Sequence, residues 1–162
     1  KYKPTMRIHS VIGLVEKSIS IFDGKLQKKN LFINLDIEEN IEIKVEEIFF
    51  VNSILNNILS NAIKFSHPGS TIDIACFKSD RKVIFSIADH GVGIPDDLIE
   101  KIFDPSQKTS TRGTQGEEGT GFGMPLVKQI VEAFQANIEI ESKTIDQYPK
   151  DSGTKLTLTF DA

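Results

Sequence analysis

Asn57-Ile-Leu-Ser-Asn-Ala-Ile-Lys-Phe-Ser66 separates its polar and apolar residues into two stripes, and the separation is helical. Counting about 100° per residue from Asn57, Asn61 falls at about +40° and Lys64 at about −20°. Val51, Leu55, Ile58 and Ala62 cluster between about 100° and about 160°, and Ile48 and Leu59 extend that face. A helix read from Glu46 to Phe65 therefore packs its apolar side on a sheet and turns two amides and an ammonium the other way. An amide oxygen can ligate Mg²⁺, a hard cation that takes few protein ligands, and a lysine supplies a point charge for a phosphate. The plain alternative is a solvated polar face, which the pattern alone favours. It is weakened because Asn suits a helix interior poorly, yet Asn52, Asn56, Asn57 and Asn61 all sit in this helix.

The flanking sequence supplies the sheet. Thr5 to His9 reads as a short strand, and Ser10 as the N-cap of a helix reaching about Leu26, with Val11, Leu14, Val15, Ile19 and Phe22 at helical spacing. Leu31 to Ile37 and Ile41 to Val45 alternate like strands, as do Thr71 to Phe77, Val83 to Ala88, Asn137 to Ser142 and Gly153 to Phe160. Asp96 to Phe103 reads as a short helix introduced by Pro95, and Met124 to Ala136 as an amphipathic helix. The fold class is α+β: a two-layer sandwich of a largely antiparallel sheet with helices on one face. Asp104 to Gly119 holds no residue that looks buried, and is read as a mobile loop of a length usually kept for function.

Two glycine stretches lie beyond the asparagine helix, Asp89-His-Gly-Val-Gly-Ile-Pro95 and Gly119-Thr-Gly-Phe-Gly-Met-Pro125. In the first, Gly91 and Gly93 let backbone approach a planar ligand, and a carboxylate at the strand end can accept a hydrogen bond from an exocyclic amine such as that of adenine. A tight turn with Asp89 in an Asx-turn is the simpler reading. The second stretch runs straight into a helix, whose unpaired amides and positive end suit an anion, or it is a linker. No Gly-Lys-Ser/Thr follows, so a P-loop is excluded, and the frame of a dinucleotide fingerprint is missing.

Composition narrows the class further. The 162 residues fit one domain, and 39% hydrophobic with 26% charged residues reads as soluble and globular. No apolar run reaches membrane-spanning length. The net charge of −4 argues against nucleic acid as the main partner. The lone cysteine, Cys76, suits a reducing compartment and reads as a buried apolar-like residue. His9, His67 and His90 show no metal-ligand spacing. The opening Lys1-Tyr-Lys-Pro4 reads as a domain cut from something longer.

In order and spacing, Asn57-x3-Asn61-Ala-Ile-Lys64-Phe65-Ser66, Asp89-x-Gly-x-Gly-Ile-Pro95, Phe103-Asp-Pro105 and Gly119-Thr-Gly-Phe-Gly123 resemble the N, G1, F and G2 boxes of sensor histidine kinases. The match is to their catalytic, ATP-binding domain, part of the superfamily shared with Hsp90, gyrase B and MutL. It covers about Ser10 to Phe160, with residues 1–9 as the end of a linker from an upstream dimerisation region. The resemblance implies a Bergerat-type fold, a mixed, largely antiparallel sheet on about three helices with a long ATP lid. It also implies ATP and Mg²⁺. Asn57 and Asn61 would hold Mg²⁺ and the phosphates, Lys64 would contact a phosphate, and Phe65 would line the pocket. Asp89 would read the adenine amine, with Gly91, Gly93 and Ile94 shaping the adenine side and Phe103 marking the F box. Gly119, Thr120, Gly121, Phe122 and Gly123 would form the phosphate-facing loop. Asp104 to Glu118 would be the lid, with Lys108 or Arg112 reaching the γ-phosphate. Phe122 and Met124 replace commoner leucines, a mild change in volume.

The resemblance also implies a mechanism. Phosphoryl transfer asks for positioning and charge stabilisation more than covalent chemistry. Hydrolytic relatives place a Glu, the base for water, where this chain has Asn57, so the γ-phosphoryl is kept for a histidine on a separate dimerisation domain. His9 lacks the acidic residue and Arg-Thr-Pro-like run expected after that acceptor. His67 and His90 read as surface residues beside the site. The implied partners are the dimerisation and phosphoacceptor domain and a response regulator receiver domain. The isolated domain is expected to be monomeric and cytoplasmic, within a homodimeric parent that a membrane could anchor. The alternatives are a hydrolytic ATPase, a serine kinase of the anti-sigma type, and a nucleotide-binding module without catalysis.

Overall fold

The computed structural model describes residues 5–106, 113–115 and 123–162. Five strands form a mixed sheet in the order β2-β4-β5-β7-β6, where β2 is Phe32–Ile37, β4 Thr71–Ser79, β5 Lys82–Asp89, β6 Asn137–Lys143 and β7 Gly153–Asp161. The pair β2–β4 is parallel and the other three are antiparallel. A parallel pair needs a crossover, and the chain between β2 and β4 contains the asparagine helix. A separate ribbon pairs β1 (Arg7–Ser10) antiparallel to β3 (Glu42–Val45). Residues 7–9, read from the sequence as linker, are thus paired within the fold.

One face of the sheet is apolar. Ile72, Ile74 and Cys76 of β4 alternate with less buried neighbours, as do Leu156, Leu158 and Phe160 of β7. Against them pack α1 (Val11–Ile21), α4 (Asn56–Phe65) and α6 (Gly123–Ala133), with Val11, Leu14, Ile58, Leu59, Val127 and Ile130 buried. This is the expected α+β sandwich.

Several elements differ from the sequence reading, each for a local reason. The helix from Ser10 ends at Ile21, and α2 (Asp23–Lys28) continues after a break at Phe22. Ser10 stands at the N-cap but makes no side-chain cap bond. Asn30 closes α2 at φ +56°, with Leu31 N–H donating to Leu26 O at 2.9 Å, a left-handed cap. The stretch from Glu46 to Phe65 is helical but not uniform. It comprises α3 (Glu47–Phe49), a π-helical segment Phe50–Leu55, then α4. The π segment delivers Phe50 into the core, edge-on to Phe85 of β5 at 6.3 Å and to Phe160 of β7 at 6.1 Å. Truncating so buried a ring costs about 3–5 kcal/mol. The helix after Pro95 is only α5 (Asp96–Ile99), because Lys101 and Ile102 bond three residues back and tighten the last turn. Helix α6 stops at Ala133 with Gln135 at φ +58°.

Candidate functional site

Three chain segments meet at the ends of α4, and glycines make the approach possible. Gly91 lies against the carbonyl end of α4, where a Cβ would sit 2.0 Å from Phe65 O. Gly123, the first residue of α6, lies against Asn57, where a Cβ would sit 2.7 Å from Oδ1. Gly93, at φ +77°, passes the end of β6, where a Cβ would meet Lys143 O at 2.2 Å. No larger residue fits these contacts without moving backbone at Gly91 and Gly93.

Asp89 ends the middle strand of the sheet and is 8% exposed. Its Oδ1 accepts from Gly91 N–H at 2.9 Å and from Thr154 N–H at 3.3 Å. The first bond is the Asx-turn that the sequence allowed as the simpler reading. It engages Oδ1, and no described residue donates to Oδ2. Burial pushes the carboxyl from 3.8 up to about 6, against the two N–H donors and nearby His90, which favour the charged form.

Asn57 and Asn61 are both half-buried, one turn apart on α4. Asn57 Nδ2 donates to Ser53 O at 2.6 Å, which turns its Oδ1 towards Gly123. Lys64 is buried rather than extended from an open polar stripe, and its ammonium stands 4.9 Å from the centroid of the Phe65 ring. Phe103 is half-buried against the core, with Lys128 of α6 5.2 Å from its ring centroid. Ile94 is half-buried, and its N–H donates to Ser142 Oγ at 2.7 Å. Lys108, Arg112, Gly119, Thr120, Gly121 and Phe122, together with most of the expected lid, lie outside the described residues.

The side-chain bonds that fasten the first glycine loop escaped the sequence reading, although strands β6 and β7 did not. Ser142 Oγ bonds Gly153 O at 3.1 Å and Thr154 Oγ1 at 2.7 Å, and Ser152 Oγ donates to Gly91 O at 2.7 Å. Gly153, at φ +147°, leaves room for Asp89 O, 2.1 Å from where a Cβ would stand. Lys29 was also missed. It is buried, and its ammonium donates to Ile63 O at 2.8 Å and Lys64 O at 3.0 Å, capping the negative end of α4.

The side chains of the histidines and the cysteine make none of these hydrogen bonds. His9 Nδ1 lies 3.5 Å from Glu47 Oε1, and the other oxygen of that carboxylate pairs with Lys17. A groove of about 570 Å³ beside that carboxylate, lined by Gly13, Lys17, Ile48 and Val51 among others, shares no residue with the site. His90 is exposed, with Nε2 2.8 Å from Asp73 Oδ2. His67 is only half-buried, but its Nε2 is enclosed and has no hydrogen-bond partner among the described residues, so the surface reading needs correction there. Cys76 is buried as expected, and burial pushes its thiol up to about 12.

Chemically the arrangement offers a buried carboxylate acceptor at Asp89 and, beside the closed Asn57–Gly123 contact, a neutral amide oxygen next to the positive first turn of α6. Residues 33–162 match the model of the histidine kinase-, DNA gyrase B- and HSP90-like ATPase family, and the chain belongs to that family. Sensor protein KdpD of Clostridium acetobutylicum is 32% identical over 139 residues, covering 85% of this chain and 15% of that protein. The chain therefore spans about a seventh of that relative's length. The nucleotide-free catalytic domain of histidine kinase ThkA superposes with a TM-score of 0.80 at 23% identity, over 97% of this chain and 95% of that one. Histidine kinase ThkA in complex with response regulator protein TrrA gives a TM-score of 0.75 at 20% identity, over 96% of this chain and 41% of that one. At these identities the structures establish the fold. Among the described residues no helix is long and apolar enough to cross a membrane.

Proposed function

We propose that this chain is the catalytic, ATP-binding unit of a histidine protein kinase. It binds ATP between Asp89 and the Asn57–Gly123 contact, and donates the γ-phosphoryl to a histidine on a separate dimerisation domain. The observation that carries this reading is the neutral amide of Asn57, aimed at the first residue of α6. A cation beside it meets an amide oxygen, a phosphate meets the positive end of α6, and neither meets a carboxylate at position 57 to activate water.

Each residue has a physical task in this reading. Asp89 accepts from the adenine amine, and Gly91 seats the loop beside it against the end of α4. Phe65, fixed by its place at the end of α4, lines the pocket. The half-buried amide oxygens of Asn57 and Asn61 fit a Mg²⁺ site that retains waters, and the ion, when bound, neutralises phosphate charge. Lys64 adds a cation close to the same helix face. In the transfer, the bond from the γ-phosphorus to the ADP oxygen breaks as a bond to the imidazole nitrogen forms, and ADP leaves. Positioning and charge stabilisation carry the catalysis. The fold shared with ThkA, seen in complex with a response regulator, supports a receiver domain as the next phosphoryl acceptor. We further place the domain in the cytoplasm, within a homodimeric parent.

The test supplies the domain with its own histidine-bearing helices and γ-labelled ATP. The expected product is acid-labile, base-stable phosphohistidine, with little steady-state hydrolysis by the domain alone. Tight Mg-ATP binding without phosphohistidine would identify a binding module instead. Rapid turnover of ATP by the isolated domain would identify a hydrolytic ATPase.

A further inference from the structure

The carbonyl end of α4 gathers hydrogen bonds from separate parts of the chain. A helix leaves its last four carbonyls without intrahelical partners. Here Ser66 supplies N–H and Oγ to Ala62 O, at 3.1 and 2.6 Å. The next carbonyls are met from elsewhere: Ile63 O and Lys64 O by Lys29, Phe65 O by Val92 N–H at 3.2 Å. Thr114 completes the set. Its N–H donates to Lys64 O at 3.0 Å, and its Oγ1 donates to Ser66 O at 2.7 Å. Val92 belongs to the first glycine loop, and Thr114 lies between the two glycine loops in sequence.

Two bonds from one residue to carbonyls two positions apart fix both its place and its orientation. The carbonyls it grips belong to Lys64, whose ammonium sits over the Phe65 ring, and to Ser66, which is fully buried. We infer that Thr114 is a positioning residue of the nucleotide site. It holds the last turn of α4, and with it Lys64 and Phe65, at the same place where Val92 N–H ties that turn to the first glycine loop. The inference rests on the reading of this site as an ATP site. Thr114 acts through α4, whose last carbonyls it grips.

Valine at position 114 keeps the shape and the N–H bond but loses the hydroxyl, whereas serine keeps the hydroxyl. A single net hydrogen bond corresponds to about a three- to tenfold change in an equilibrium or dissociation rate. Release of a fluorescent ATP analogue would be followed by stopped-flow for wild type, Thr114→Val and Thr114→Ser. All three would be measured well below their melting transitions, so that folded fractions are equal. Expected is about three- to tenfold faster release from Thr114→Val with a nearly unchanged association rate, and release close to wild type from Thr114→Ser. In parallel, amide exchange of the nucleotide-free proteins should show lost protection at Gly113–Gln115 and Lys64–Ser66 in Thr114→Val alone. Identical release by all three proteins, or a serine variant as fast as the valine variant, overturns the role of Thr114. Failure of the wild type to bind the analogue overturns the ATP reading instead, and the exchange comparison still decides whether Thr114 anchors α4.

Discussion

Replacing Asp89 by asparagine should stabilise the fold and weaken its hold on adenine nucleotide. The carboxylate is buried at the end of β5 with Oδ1 held by two backbone N–H groups, and burial still lifts it from 3.8 to about 6. At about 1.36 kcal/mol per pH unit, that gap is about 3 kcal/mol of folding free energy spent on keeping the group ionised. The sign follows from proton uptake. With its value raised on folding, the native state binds more protons than the unfolded chain between the two values. The penalty is therefore complete above about pH 7 and is relieved as pH falls through about 6 towards about 4. Asparagine has no charge to desolvate, and its oxygen keeps the bonds from Gly91 and Thr154. Urea denaturation at about pH 8 should show Asp89→Asn more stable than wild type by up to about 3 kcal/mol, with the gap closing by about pH 4. The same variant should bind a fluorescent ATP analogue more weakly by about 1–3 kcal/mol, roughly 5- to 150-fold, because an amide N–H₂ replaces an acceptor facing the adenine amine. A wild type at least as stable as the variant at about pH 8, or a gap that ignores pH, refutes the burial argument. Unchanged analogue binding refutes the adenine assignment.

Gly91→Ala should lower stability by about 2–4 kcal/mol, because a Cβ 2.0 Å from Phe65 O forces backbone to shift, and an unchanged urea midpoint would contradict the packing described. Lys29→Met should cost about 2–3 kcal/mol by taking the buried ammonium from Ile63 O and Lys64 O, read as a lower melting temperature, and a wild-type melt would show that the capping contributes nothing.

The asparagine helix, the glycine loops and the alternating strands were legible because each has a period or a turn chemistry of its own. The break at Phe22 was not, since Ile19, Phe22 and Leu26 keep helical spacing across it while Phe22 buries its ring. The π-helical segment was hidden for a related reason. Apolar spacing records which side faces the sheet, and the bond pattern that moves Phe50 between Phe85 and Phe160 leaves no mark in residue type. At the site, Asp89, Gly91 and Asn57 were readable as motif residues. Lys29, Ser142, Ser152 and Thr114 were not, because each acts across the fold on a carbonyl or loop far away in sequence. A lysine in the run Lys28-Lys-Asn30 looks like surface, and only the folded chain shows it buried under α4.

Asn57 shows how much one residue type decides. An amide carries a donor and an acceptor on the same fork, whereas an ionised carboxylate only accepts. Asn57 uses the donor on Ser53 O, one turn back in the π-helical segment, and this fixes the acceptor towards Gly123. A glutamate at position 57 has no proton for Ser53 O, and its oxygens would be repelled by that carbonyl. It would have to extend into the site, where it could take a proton from water. On the proposed function, the amide thus settles two matters at once. It presents a neutral oxygen in a fixed place for a hydrated cation, and it withholds the base that hydrolysis requires. The γ-phosphoryl group is then left for a nucleophile brought from outside the domain.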